Sequence, residues 1–359
     1  MNYRLTALTP LLVGDGQKLS PIDYMVWKDQ VNVLDQRRIF RLLAKGPRLE
    51  SYLAQLRKAE KLDFASWGGF AQNFAGRRIP FEHSSSTTYW EQAQAENLFI
   101  PTFCSGANGP YLPGSAIKGA LRTGLVFTRW NSGVLREIAS RMDGDRGLRN
   151  PGESAELMTL GPSTSDPMRV LSAADSNTIL PSAFKIYLLK VSTLQQRPGK
   201  FELGWKPNPT FAEMATPGTV FTGEMHEIAS RKRNASGLEQ IFKAANQHAA
   251  KLIAAQKQYA DTAGLPRLKA SLDTLEASLE ALTASTGQRG CIINLGWGGG
   301  LLGKAAFLDT DDEEYRKILR TMPFYSKAIR SGMPFPKTRR IVFEENQPAA
   351  LPGWARLEI

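Results

Sequence analysis

Hydrophobic residues along the chain follow two periods, one typical of strands and one typical of helices. Alternation in steps of two predicts a hairpin, in which residues 24–27 and 31–34 flank a short polar loop. Short apolar runs predict further strands over residues 3–13, 168–171, 184–191, 218–225, 291–295, 305–308 and 338–344.

Helical spacing is clearest late in the chain. Apolar residues from Leu238 to Tyr259, and leucines from Leu268 to Leu282, predict two helices separated by Gly264-Leu265-Pro266. We expect them to form an antiparallel helical hairpin over about residues 235–284. Four further helices are predicted. The first begins at Asp35 or Gln36, and the second covers residues 49–56. The third starts at Ser115 as its N-cap, and the fourth begins in the acidic residues 309–314.

Two stretches carry loop composition. Residues 66–113 are rich in glycine, serine, asparagine and aromatic residues, and residues 143–167 carry several glycines and prolines. The second stretch predicts a boundary between domains 1–165 and 166–359. Strands and helices mix in each half without regular alternation, so the expected fold class is α+β.

The hydrophobic content and the net charge of the chain limit the functions that it can have. The chain has 359 residues with 42% hydrophobic residues, which excludes wholesale disorder. Lys plus Arg is 45 and Asp plus Glu is 34, a net charge of +11, which favours a polyanionic partner such as nucleic acid. A basic surface that serves solubility is the alternative.

Cysteine and histidine are scarce. Two cysteines exclude a disulfide scaffold and a cysteine-based zinc site, and three histidines argue against a histidine-rich metal centre. The first residues lack the apolar core of a signal peptide, and no apolar run is long enough to span a bilayer. We therefore expect a soluble cytoplasmic protein without a bound cofactor, metal or membrane.

Basic residues are concentrated in three places. Residues 316–343 hold eight lysines and arginines with no acid between Arg316 and Phe343, residues 231–233 form a second cluster, and Lys118, Arg122 and Arg129 share a predicted helix. Such clusters suit phosphate contacts, or they are solvated helix faces. Aromatic residues of the 66–113 loop either stack on unpaired bases or pack the loop onto the core.

A glycine run occupies residues 296–304. Its sequence matches two glycine motifs. Gly298-x-Gly300-x-x-Gly303 matches the motif of dinucleotide-binding proteins, and residues 298–304, which end in Lys304, match most of a P-loop. However, residue 305 is alanine, and only about 55 residues follow, too few to complete a nucleotide-binding sheet. The run is therefore a main-chain contact for a nucleic-acid backbone or a structural turn.

Catalytic candidates are few. His83 lies in the polar loop and could act in metal-independent RNA cleavage, whereas His226 and His248 have no evident partner. The acidic residues 309–314 are typical of an exposed helix start rather than a metal site. No catalytic residue is assigned, and we expect that the protein is not an enzyme.

Five segments together resemble the RAMP superfamily of CRISPR proteins. These are residues 8–24, 111–122, 168–176, 296–304 and 336–340. The middle segment, Tyr111-Leu112-Pro113-Gly114-Ser115-Ala116-Ile117-Lys118-Gly119, and the glycine run occur across RAMP subunits. The opening and closing segments favour the family of the fifth subunit of type III-A Csm interference complexes.

The resemblance implies two fused ferredoxin-like (RRM-like) RAMP modules, with a thumb-like insertion and a helical hairpin insertion. It implies a subunit that caps the backbone filament at the crRNA 3′ end and supports crRNA maturation in antiviral defence. Its partners would be crRNA and the adjacent backbone RAMP subunit, with target RNA and host nucleases as further candidates. The implied RNA-binding residues are Ser115, Lys118, Arg122, Gly298, Gly299, Gly300, Lys304, Lys337, Arg339 and Arg340.

Two other functions remain open. One is a RAMP endoribonuclease that cleaves crRNA precursor or target RNA, with Asp23 or His83 as the residue to test. The other is a protein-interaction cap whose contact with RNA is minor.

Overall fold

The computed structural model describes residues 1–44, 46–58, 73–142, 150–228, 237–285, 289–330 and 333–359. The helices in these ranges are α1 (Gln36–Leu43), α2 (Arg48–Lys58), α3 (Ser86–Gln92), α4 (Gly114–Arg129), α5 (Ser132–Met142), α6 (Pro151–Leu160), α7 (Leu238–Thr262), α8 (Pro266–Ala284), α9 (Glu313–Thr321) and α10 (Pro323–Arg330). The strands are β1 (Asn2–Ala7), β2 (Lys18–Leu19), β3 (Tyr24–Val26), β4 (Gln30–Leu34), β5 (Ala75–Pro80), β6 (Ile100–Pro101), β7 (Ser105–Gly106), β8 (Gly109–Pro110), β9 (Leu171–Ala173), β10 (Phe184–Arg197), β11 (Lys200–Trp205), β12 (Thr210–Ala215), β13 (Val220–Glu227), β14 (Gly290–Asn294), β15 (Thr338–Glu344), β16 (Gln347–Ala350) and β17 (Trp354–Glu358).

The first large sheet has the strand order β14-β17-β1-β13-β9, and its neighbouring strands run antiparallel. Strand β1 lies at its centre. Tyr3, Leu5 and Ala7 alternate with more exposed residues, because side chains of a strand point to opposite faces in turn. This alternation buries one face of β1 in the core.

The second large sheet is built on the long strand β10. One edge of β10 pairs with β12 in its first half and with β11 in its second half, while β15 pairs along the other edge. Strand β16 extends this sheet beyond β15. A smaller sheet, β3-β4-β5, is connected to it at the bridge between Phe81 and Ile186.

Helices α4 and α7 cross over the main core. Gly124 of α4 makes the crossing close, since a Cβ atom there would lie 2.7 Å from the Cα atom of Ala245. Apolar residues of both helices, among them Leu121 and Ile241, join the same buried cluster as β1. Helix α8 returns alongside α7 and buries its leucines from Leu268 to Leu282 in a second cluster.

The α+β class is confirmed, as are the β-hairpin at residues 24–34, the helical hairpin, and the helix that follows the acidic residues near 312. Strands from before and after residue 165 are neighbours in the first large sheet. The predicted division of the chain at that residue stays a prediction.

Several predicted strands differ from the structure. Strand β1 ends at Ala7 rather than at residue 13, and residues 305–308 lie in turns and irregular chain. The segment predicted as a strand from Met168 begins as a short 3₁₀ helix, Pro167–Val170, before β9. Each of these runs is short and apolar, a pattern that does not distinguish a strand from other buried chain.

The two predicted loops contain regular structure. Residues 66–113 include β5, α3 and β6 to β8 in their described part, whereas Trp67 and Phe70 lie outside the described residues. Residues 150–161 include helix α6, which begins at Pro151 and is followed by Gly161 at a φ of +79°. Proline at the first position and glycine after the last are helix boundary signals, but the same residue types are typical of loops, and the predicted loop is therefore wrong over this helix.

The N-cap prediction at Ser115 is wrong. Helix α4 begins one residue earlier, at Gly114, and the Gly114 N–H donates 2.9 Å to the carboxylate of Asp175. The cap is therefore supplied from a distant segment, which helical spacing alone does not reveal.

Candidate nucleic-acid interface

A surface groove of about 770 Å³ forms where three segments of the chain meet. The segments are residues 12–18, one face of helix α4, and the glycine loop, which we define as residues 296–304. The lining is completed by Pro101 and Thr102 at the end of β6, by Asn294 and Leu295 at the end of β14, and by Arg340 of β15. Four of the five segments that resemble the RAMP superfamily thus converge on one groove.

Backbone hydrogen bonds hold residues 12–18 in place. The carbonyl of Val13 accepts 2.8 Å from the Cys104 N–H, and the carbonyl of Leu12 accepts 2.7 Å from the Trp297 N–H. At the far end of the segment, Lys18 pairs with Pro101 in the short ladder between β2 and β6. These main-chain contacts fix the wall of the groove.

The glycine loop follows directly from β14. Gly298 has a φ of +99°, and the ring of Pro352 lies 2.7 Å from the position that a Cβ atom would take. Gly300 has a φ of +67° and meets open space on that side. Both conformations favour glycine, and at Gly300 the main chain is exposed, as contact with a ligand backbone requires.

Small residues of α4 form the groove face of that helix. Ala116, Gly119, Ala120 and Thr123 recur at helical spacing and line the groove. The start of α4 is anchored twice, since Leu112 also donates its N–H 2.9 Å to the Ser176 hydroxyl. A ligand can therefore approach the helix closely along a rigidly held face.

The predicted residues of α4 lie beside this face and do not line the groove. Ser115 is exposed, Lys118 is half-buried, and both fall on the neighbouring side of the helix. Arg122 is bound within the protein: its Nε donates 2.8 Å to Glu156, and its guanidinium also contacts Asp166. The structure therefore separates these three residues from the glycine loop.

Three cationic side chains border the groove. Lys304 and Lys18 are exposed, and the Arg340 guanidinium lies 4.2 Å above the ring of Trp297. Burial lowers the pKa of Arg340, yet this group is always protonated near neutral pH. Lys18 lies within segment 8–24 but is not among the RNA-binding residues predicted from the sequence, because no local pattern indicates that it shares a groove with the glycine loop.

Arg339 has a different environment from Arg340. Its guanidinium is buried, donates to Gln256 Oε1 and to the carbonyls of Pro336 (2.6 Å) and Thr338 (3.0 Å), and lies 4.3 Å from the ring centre of Tyr259. Burial lowers its pKa to about 10. Adjacent strand residues face opposite sides, and of this pair only Arg340 lines the groove.

Other predicted basic residues are spread out. Lys337 is half-buried and does not line the groove, and its carbonyl accepts from the Leu194 N–H. Arg316 pairs with Asp311 at 2.6 Å. The cluster at residues 231–233 lies outside the described residues.

The catalytic candidates lie away from the groove. The Asp23 carboxylate accepts 2.7 Å from the Ser20 N–H and 2.6 Å from its hydroxyl, and His83 Nδ1 is 2.8 Å from the Ser85 hydroxyl. His226 is exposed beside Glu224, and His248 is buried with Nε2 2.9 Å from the Ala305 carbonyl. Within the described ranges, no three potential metal-ligating side chains come together, and no helix is long and apolar enough to cross a membrane.

Comparison with known proteins supports the predicted resemblance. Residues 4–159 match the sequence profile of the RAMP superfamily. The resemblance to that superfamily, which was predicted from the sequence, is therefore confirmed over this part of the chain.

The similarity to Csm5 proteins extends over the whole chain. The protein named "CRISPR system Cms protein Csm5" of Methanocaldococcus jannaschii is 24% identical over 395 residues, which cover 100% of this chain and 89% of that protein. The crystal structure of T. onnurineus Csm5 matches with a TM-score of 0.64 at 17% identity, covering 98% of this chain and 99% of that one. A chain of the cryo-EM structure of a type III-A Csm–crRNA–target RNA ternary complex matches with a TM-score of 0.68 at 19% identity, with full coverage of both chains.

Proposed function

We propose that this chain is the Csm5 subunit of a type III-A Csm complex and binds crRNA through the groove. It would cap the backbone filament at the crRNA 3′ end, beside the adjacent RAMP subunit, and support crRNA maturation without cutting RNA itself. The full-length similarity to Csm5 proteins supports the assignment.

The groove is the observation that carries the RNA-binding part of the proposal. A sugar–phosphate chain needs close access to main-chain atoms and cations at its edges. The small residues on the groove face of α4 and the exposed Gly300 give access to main-chain atoms. Lys18, Lys304 and Arg340 supply the cations. No other described feature combines these properties on segments shared with the RAMP resemblance.

The arrangement of modules belongs to the proposal as well. Two large antiparallel sheets covered by helices are what two fused ferredoxin-like modules require. The region from β5 to β8 would contain the thumb-like insertion, and α7 with α8 would be the helical hairpin insertion.

Charge reversal at the groove tests the binding function. We expect Lys18→Glu and Lys304→Glu each to weaken crRNA binding by roughly ten-fold or more at low salt, because each replaces a phosphate partner with a repulsive charge. Lys251→Glu is the matched control, since Lys251 is exposed on α7 and does not line the groove. Unchanged affinity in both groove variants would favour the protein-interaction cap instead.

A cleavage assay tests the absence of catalysis. Purified protein incubated with crRNA precursor and with target RNA should leave both intact, because Asp23 and His83 are held in local turns outside the groove. Cleavage that is lost in Asp23→Asn or His83→Ala would establish the endoribonuclease function.

A further inference from the structure

A second cavity of about 270 Å³ lies next to the RNA groove. Helices α4, α5, α6, α9 and α10 surround it, together with the chain that follows the glycine loop. Thr123 and Lys304 line both the groove and this cavity, so the two are neighbours at these residues. We call the second cavity the aromatic pocket.

Four aromatic residues line the pocket: Trp130, Phe307, Tyr315 and Tyr325. The Phe307 ring lies 5.3 Å from that of Trp130 at an interplanar angle of 32°, and 4.9 Å from that of Tyr315 at 63°. Because these rings support one another, the wall is formed before any ligand arrives. The remaining lining is mostly aliphatic, with Glu156 and Lys304 as its charged residues.

We propose that the aromatic pocket receives one unpaired base of the RNA whose phosphate chain lies in the groove. This inference rests on the proposed function. A nucleotide joins an anionic group to a flat aromatic ring, and the two cavities place a cationic groove beside an aromatic pocket, with Lys304 lining both. The pocket is smaller than the roughly 300–1,000 Å³ typical of sites for drug-sized ligands, which suits a single ring system.

The lining also predicts how selective the pocket is. Stacking on aromatic faces tolerates every base, because each base has a π-face. Glu156, the acidic residue of the lining, is already bound to Arg122, and its carboxylate is therefore not free to read the edge of a base. We therefore expect the pocket to select a position along the RNA rather than a sequence.

Abasic scanning combined with a filled pocket tests the proposal. The full-length protein is titrated with crRNA in which one base at a time, from the 3′ end, is replaced by an abasic residue. At one position the abasic RNA should bind wild-type protein roughly ten-fold more weakly than intact RNA. In Ala306→Phe, and separately in Ala155→Leu, the two RNAs should bind equally, since each substitution fills the pocket from a different wall.

Control experiments distinguish a failure of the base-binding inference from a failure of the proposed crRNA-binding function. Ala281→Phe, on the exposed side of α8, should keep the wild-type sensitivity, and thermal melting checks that every variant is folded. If wild-type protein binds crRNA with no sensitive position, or if the filled variants keep that sensitivity, the base-binding inference is wrong while the groove stands. If wild-type protein does not bind crRNA at all, the proposed function fails as well. Loss of a co-purifying protein subunit in the filled variants, without any abasic effect, would assign the pocket to a protein side chain and overturn the inference.

Discussion

Arg339 and Arg340 are neighbours in sequence that perform different tasks. Arg339 is buried among Gln256, Tyr259 and two carbonyl groups, whereas Arg340 reaches the groove over Trp297. Because β15 turns consecutive side chains to opposite faces, one arginine stabilises the protein and the other faces the candidate ligand.

Paired substitutions separate these two tasks. Arg339→Met should lower the free energy of unfolding by about 2–4 kcal/mol, since it leaves buried acceptors unpaired. Arg340→Met should change stability little and weaken crRNA binding. Urea denaturation and RNA titration of both variants check this, and a stable Arg339→Met protein with impaired RNA binding would contradict it.

His248 makes stability depend on pH. Its ring is buried beside Phe127, 5.4 Å between ring centres, and burial lowers its pKa despite the bond to the Ala305 carbonyl. Below a pH of about 6.5 the unfolded chain therefore takes up a proton that the folded protein resists, so the free energy of unfolding falls as pH falls.

Comparing wild-type protein with a His248 variant isolates the contribution of His248 to the pH dependence of unfolding. Between pH 7.5 and 5.5, wild-type protein should lose up to about 1 kcal/mol more unfolding free energy than His248→Gln. His226→Gln, at an exposed position, serves as the control and should follow wild type. Equal losses in wild type and His248→Gln, measured by urea denaturation at both pH values, would refute the argument.

At the scale of elements, the end of β14 holds the glycine loop in shape. Asn294 donates from Nδ2 to the Pro352 carbonyl at 3.0 Å, and its Oδ1 lies 2.5 Å from where a Cβ atom of Gly299 or Gly303 would stand. One side chain thus fills the space that two glycines leave and joins the loop to the turn before β17.

Replacing Asn294 tests this link. Asn294→Leu keeps the approximate size, removes the donor and adds no charge to the groove that Asn294 lines, so we expect a loss of about 1–3 kcal/mol in unfolding free energy, with weaker crRNA binding. Asn177→Leu, at an exposed position outside the groove, is the matched control. Full RNA affinity in Asn294→Leu would show that the loop keeps its shape by other contacts.

An ion pair joins the small sheet to the second large sheet. Arg77 of β5 contacts Glu213 of β12, whose side chain is fully buried. Burial lowers the pKa of Arg77, because desolvation of the guanidinium disfavours its charged form.

Removing one partner or both should give different results. Glu213→Ala should destabilise the protein by about 3–5 kcal/mol, because a partly buried charge is left unpaired. The double variant Arg77→Met with Glu213→Met should recover most of that loss. Chemical denaturation of the three variants is the measurement, and a double variant as unstable as the single one would contradict the interpretation.

At the scale of the whole molecule, the net charge of +11 favours RNA binding most strongly where several cationic side chains lie in one groove. Binding of a single strand should weaken with salt, with a slope of about −0.7 in log affinity against log salt for each phosphate contacted. Lys304→Ala and Lys18→Ala should each reduce the slope by about 0.7, and Lys251→Ala should leave it unchanged. Filter binding over a salt series checks this, and identical slopes in all four proteins would place the RNA elsewhere.

Much of the architecture could be predicted from local pattern. Periodicity identified the β-hairpin, the helical hairpin and β10 because their apolar residues are buried at regular spacing. It missed β5, where only Ile79 is buried, and α6, where the boundary residues resemble a loop. These elements are held by neighbours distant in sequence, and their own pattern is weak.

The amino-acid sequence by itself determined the fold class, the basic charge, the RAMP resemblance and the glycine loop as a candidate contact, since each follows from local spacing or composition. The tertiary structure alone decided which residues share a groove. It brought Lys18 and Lys304 to the same groove, turned Arg339 inward, engaged Arg122 with two carboxylates, and placed an aromatic pocket beside the groove. Contacts between segments hundreds of residues apart depend on strand pairing and helix packing, and a one-dimensional pattern does not contain them.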